Sequence, residues 1–63
     1  MIYFTGTDER GINRSGHAPA TGWVGVIEMK YRQGWTTLTA KRNGVTLASI
    51  TNGRLTFAPE AAR

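Results

Sequence analysis

Cysteine is absent from this 63-residue chain, and histidine occurs once, at position 17. The first absence removes any disulfide framework. The second leaves too few nitrogen and sulfur ligands for an ordinary zinc site, so neither a metal nor a cofactor is expected. A chain this short lies near the lower limit at which an unassisted core outweighs the entropy of ordering the backbone. Its stability must come from tight packing, self-association or docking on a larger partner. Long apolar runs are missing too. The longest, Met1-Ile2-Tyr3-Phe4, lacks the basic start, apolar stretch and small-residue cleavage site of a secretory leader. The expectation is a soluble protein with no membrane partner, in the cytoplasm or, for a viral source, the host cytoplasm or particle. Acidic residues are scarce as well: four Asp and Glu against eight Lys and Arg leave a net charge of +4. That surplus favours anionic surfaces such as nucleic acid. The same charge, on its own, keeps a small domain dispersed in water.

What the chain does have is turns. Asn43-Gly44 and Asn52-Gly53 each sit between short alternating apolar segments, and an Asn-Gly pair accepts the positive φ angles of a type I′ hairpin turn. These two turns predict strands over residues 35–42, 45–51 and 54–58. Residues 22–32, rich in β-branched and aromatic side chains, read as a further strand that reverses at Gln33-Gly34. Residues 1–5 form a short N-terminal strand. Residues 6–22 are polar and glycine-rich, with Asp8, Asn13, Ser15 and Pro19, and read as one long loop. The tail over 59–63 has room for at most one helical turn. The whole chain, 1–63, is expected to be a single all-β domain: a small antiparallel meander of four to five strands, with the meander proper over 22–58.

Two-residue turns also assign faces. Pairing Arg42 with Val45 sets Ala40 opposite Leu47 and Leu38 opposite Ser49, and the Gln33-Gly34 turn adds Ile27, Met29 and Tyr31. That face is the expected core. The other face divides into a polar half (Glu28, Lys30, Arg32, Trp35, Thr37, Thr39, Lys41) and an apolar half (Ala48, Ile50, Leu55, Phe57). A bulge or bend would turn the apolar half inward; without one it stays exposed, and contiguous exposed apolar surface marks interaction sites. The order of short strand, long irregular loop and tightly joined strands resembles an SH3-type small barrel, which implies a curled sheet or partly open barrel. No motif accompanies that likeness, and topology by itself implies no peptide-binding role.

Nothing in the sequence composes a reaction centre. Asp8, Ser15, His17 and Ser49 are nominal nucleophile, base and orienter, but three of them share a glycine-rich loop that gives poor support for catalytic geometry. The segment Gly11-Ile-Asn-Arg-Ser-Gly16 has the first spacing of a phosphate loop, yet His17-Ala18 stands where Lys and then Ser or Thr are needed. No catalytic residue and no small-molecule substrate are expected. Two binding surfaces remain. Trp23, Ile50, Leu55 and Phe57 supply apolar anchors for a protein–protein module, acting as a homo-oligomer or as a small subunit on a larger assembly. Phage-type accessory, decoration and inhibitor proteins have this scale. The alternative is a nucleic-acid-binding module in which Trp35 stacks on bases and Lys30, Arg32, Lys41, Arg42 and Arg54 contact phosphates.

Overall fold

The computed structural model describes residues 1–58, so the tail expected over 59–63 lies outside the described residues. Five antiparallel strands form one open sheet and a single short helix accompanies it: β1 (Ile2–Thr7), β2 (Asn13–Ala18), α1 (Trp23–Arg32), β3 (Thr37–Arg42), β4 (Val45–Thr51) and β5 (Arg54–Phe57). The order across the sheet is β2-β1-β3-β4-β5. The predominantly β character and the meander of β3, β4 and β5 match the sequence. The sheet is open, with β2 and β5 as its edges, and its core face is covered by a helix rather than by barrel closure.

Residues 22–32 are the first correction, because they form a helix and not a strand. Trp23, Val26, Ile27 and Lys30 follow the i, i+3, i+4, i+7 spacing of one helical face. Ile27 is fully buried, and Trp23 and Val26 pack against the core. The Gln33-Gly34 pair is the helix terminus. Gly34, at φ 98°, donates its N–H to the Tyr31 carbonyl (3.1 Å), and Trp35 N–H reaches the Lys30 carbonyl (3.3 Å). This is a Schellman cap, in which a left-handed glycine lets two late amides satisfy the last carbonyls.

Residues 6–22 are the second correction, since they hold β2. Asp8 and Ile12 close the β1–β2 hairpin: Asp8 N–H donates to the Ile12 carbonyl and Gly11 N–H to the Asp8 carbonyl, both at 3.0 Å, with Gly11 at φ 79°. Three loop residues ending in a left-handed glycine is a common hairpin geometry. The strand itself, Asn-Arg-Ser-Gly-His-Ala, has little β propensity and is held by its register on β1. Gly16 leaves room for the Phe4 ring, which a Cβ there would meet at 2.7 Å.

Both Asn-Gly turns form as expected. Asn43 and Gly44 have φ of 52° and 79°, and Asn52 and Gly53 have 51° and 74°. Arg42 pairs with Val45, Ile50 with Leu55 and Ala48 with Phe57. Between these turns the register shifts at Ala40/Lys41, so Leu38 faces Ile50 and Ala40 faces Ala48, where unbroken pairing would have set Leu38 on Ser49 and Ala40 on Leu47. One extra residue on β4 moves the apolar set of the last hairpin onto the face of Leu38 and Ala40. The core is therefore one cluster: Ile2, Phe4, Ile27, Trp35, Leu38, Ala40, Ala48 and Ile50, with Trp23, Val26, Leu47 and Leu55 packed against it. Met29, Tyr31 and Val45, expected inside, are exposed.

Candidate functional site

With the core gathered on the helix side, the opposite side of the sheet is left bare among the described residues. Strand alternation and the pairing register put three ranks of side chains on it. One rank runs His17, Tyr3, Lys41, Thr46; the next runs Ser15, Thr5, Thr39, Ser49, Thr56, one residue from every strand. The third joins Asn13, Thr7 and Thr37, with Thr51 and Arg54 continuing it on β4 and β5. Local hydrogen bonds join neighbouring strands within two of these ranks: the Ser49 and Thr56 hydroxyls lie 3.1 Å apart, and Thr7 Oγ1 donates to Asn13 Oδ1 at 3.3 Å.

The charge on this face has one sign. Lys41 and Arg54 project from it, and among the described residues no carboxylate does. Asp8 and Glu9 lie in the β1–β2 turn and Glu28 on the helix. Asp8 is buried and accepts from Arg10 N–H (2.9 Å), Ile12 N–H (3.0 Å) and Arg14 Nε (3.0 Å). The Ile12 amide foremost, with the Arg14 guanidinium and Arg10 amide, holds its carboxyl below the ordinary value against the opposing effect of burial. One end of the face carries rings. Tyr3 is 61% exposed, its ring centroid lies 6.3 Å from that of His17 at an interplanar angle of 59°, and Lys41 is its neighbour on β3.

The residues singled out from the sequence are scattered by this architecture. Trp35 is 5% exposed and belongs to the core, where it has no face to offer a base. Lys30 lies on the helix with its Nζ 5.3 Å from the Trp35 centroid and 5.8 Å from that of Phe4, covering the core with cation–π contacts. Arg32 ends the helix, and Arg42 alternates to the helix side of β3. Only Lys41 and Arg54 of the basic set share the bare face. Of the apolar set, Ile50 is 2% exposed, while Leu55 and Trp23 are half-buried against the core. Phe57 alone is exposed, at 44%, with its ring edge-on to Trp23 at 6.1 Å. Ser15 and His17 stand on the bare face and Asp8 is bound to Arg14, so these groups do not assemble into a relay. Among the described residues no cluster of three or more His, Asp or Glu side chains is placed to hold a metal ion, and no helix is long and apolar enough to cross a membrane.

Tyr3 and His17 are the residues that sequence reasoning missed. The alternation Ile2-Tyr3-Phe4 carried a signal for Tyr3, whose neighbours both point into the core. His17 had none, because its strand is written in loop residues. Comparison with protein-family models, curated proteins and solved structures finds no match for this chain.

Proposed function

We propose that this chain is a non-enzymatic module that binds single-stranded nucleic acid on the bare face of its sheet. The Tyr3–His17 ring pair, beside Lys41 on a face to which none of the described residues brings a carboxylate, carries this reading. Sequence-tolerant single-strand binders combine exposed rings, on which bases stack, with cations that follow the phosphates. Here Tyr3 and His17 supply the stacking surface and Lys41 and Arg54 the cations. The hydroxyl rank between them offers donors and acceptors to sugar and base edges. From strand and residue spacings, Lys41 and Arg54 stand roughly 17 Å apart across the sheet, room for several nucleotides between two phosphate contacts. The net charge of +4 supports the same reading at long range.

Fluorescence anisotropy of a labelled mixed-sequence decanucleotide, as DNA and as RNA, tests it. Two phosphate contacts on a single strand predict about a sevenfold loss of affinity between ~50 and ~200 mM salt. Tyr3→Ala is expected to weaken binding about tenfold or more, the scale of one lost stack, and Lys41→Glu with Arg54→Glu to abolish it. Binding that ignores salt, or that survives both changes, refutes the reading. A protein partner is the second reading, supported by Phe57, an exposed ring set edge-on to the half-buried Trp23. Under it, Phe57→Asp releases the partner and leaves nucleic-acid affinity unchanged.

A further inference from the structure

The two edges of the sheet are unequal. β5 has four residues, whereas β2 has six, and Asn13, Arg14, Ser15 and His17 on it are all exposed. Sheet edges present unpaired N–H and C=O groups, and proteins ordinarily guard them with proline, bulges or projecting charge. β2 has no proline, and no register shift interrupts its pairing with β1. Its single formal charge, Arg14, is spent on Asp8 at 3.0 Å.

The direction of the free backbone groups follows from the hairpin. Asp8 and Ile12 form a hydrogen-bonded pair, with Asp8 N–H donating to the Ile12 carbonyl at 3.0 Å. In an antiparallel ladder bonded and non-bonded pairs alternate. Arg14, Gly16 and Ala18 therefore bond inward to Gly6, Phe4 and Ile2, while Asn13, Ser15 and His17 turn their N–H and C=O groups outward.

We propose that β2 is the seam of a homodimer, in which two copies of this chain pair their β2 strands antiparallel about a two-fold axis through Ser15. In that register every outward-facing residue finds a bonded partner: Ser15 meets Ser15, and Asn13 of each copy meets His17 of the other. Each such pair exchanges two N–H···O=C bonds. Centring the axis on Gly16 instead leaves Asn13 without a partner. On the helix side Arg14 falls opposite Gly16, so no like charges meet, and Arg14 keeps its own Asp8. A second copy fits better than an unrelated strand, because antiparallel pairing of one strand with itself is self-complementary and closes after a single contact. The result is a continuous ten-stranded sheet in which the Ser15-Thr5-Thr39-Ser49-Thr56 ranks of the two copies join end to end. This assembly stands independently of nucleic-acid binding.

Light scattering on the size-fractionated full chain at micromolar concentration is expected to give twice the 6.9 kDa chain mass. Ser15→Pro removes an N–H that faces away from β1, so the monomer keeps its ladder while the seam loses its central pair. It is expected to halve the mass with an unchanged far-ultraviolet circular dichroism spectrum. Ser15→Asp, which sets two carboxylates against each other on the axis, halves it without touching the backbone. Ser15→Cys, in a chain with no other cysteine, oxidises to a disulfide-linked dimer, whereas Thr5→Cys on the adjoining strand does not. A wild-type chain running at single mass up to ~100 µM, a dimer that survives both Ser15→Pro and Ser15→Asp, or equal cross-linking at positions 5 and 15 overturns the proposal.

Discussion

A single carboxylate organises the first hairpin. Asp8 accepts two backbone amides of its own turn and the Arg14 guanidinium, and so joins both strands below the loop tip. Because these donors hold its carboxyl below the ordinary value, the folded chain binds this proton less readily than the unfolded one. The stabilisation is fully present above the unfolded pKa of about 4 and is lost as pH falls through the lowered folded value. Thermal melts from pH 7 to pH 2.5 are expected to show this acid limb in the wild type. Asp8→Asn melts lower at pH 7 and shows a shallower limb; parallel curves for the two proteins contradict the assignment. In the sequence the residue stood out as part of a polar, glycine-rich stretch and as a nominal partner of Ser15 and His17, not as the anchor of a hairpin. Its role depends on Ile12 and Arg14 returning as a strand, and nothing in Asn-Arg-Ser-Gly-His-Ala announces one.

At the scale of elements, the helix shows how local composition misleads and where the correct signal lay. Valine, isoleucine, tyrosine and tryptophan over 22–32 favour a strand by propensity. Val24, Met29 and Tyr31 blur the helical period, because they are apolar on the exposed side. The ending was more informative: Lys30 and Arg32 in the last turn followed by Gly34 is a C-terminal signature of a helix. Two glycines test this element with opposite signs. Gly25 sits in the helix with nothing within 4 Å of an added Cβ, so Gly25→Ala is expected to stabilise by about 0.5–1 kcal/mol. Gly34 has φ 98° and a Cβ there would approach Glu9 Cβ at 3.2 Å, so Gly34→Ala is expected to cost at least about 1 kcal/mol. Melting temperatures should separate by several degrees on either side of the wild type. Shifts of the same sign would mean that the helix or its cap is misassigned. The hairpin turns, in contrast, were legible outright, because Asn-Gly dictates positive φ at both positions whatever the tertiary surroundings. The β4 register was not legible, since no residue type marks the bulge that reconciles the two apolar sets.

For the molecule as a whole, the seam between β1 and β3 decides whether there is one sheet or two pieces. β1 pairs β2 on one side and β3 on the other, and the helix crosses over this junction to connect them. Gly6 sits at the closest approach: a Cβ there would lie 2.2 Å from the Thr37 carbonyl oxygen. Backbone cannot yield as a flexible side chain does, so Gly6→Ala must force the strands apart. It is expected to cost about 1–3 kcal/mol or more, a large share of the stability of so small a domain. Urea unfolding followed by tryptophan fluorescence should show a much lower midpoint for Gly6→Ala and little change for Gly11→Asn, a substitution on the same hairpin at a position with open space around it and a left-handed conformation that asparagine tolerates. Equal midpoints would show that the seam carries no such constraint. The bare face follows from the same arrangement, since one helix suffices for one side of a sheet and the chain described supplies no second layer.

The interior position of β1, between β2 and β3, also has a consequence for the order of folding. Tyr3 finds its partner Lys41 only after the whole crossover has been made. Until then the β3 side of the strand that carries Ile2 and Phe4 is unpaired, and only β2 lies beside it. β1 therefore gains its second neighbour only through a pairing between residues far apart along the chain, which places closure of the sheet late in folding.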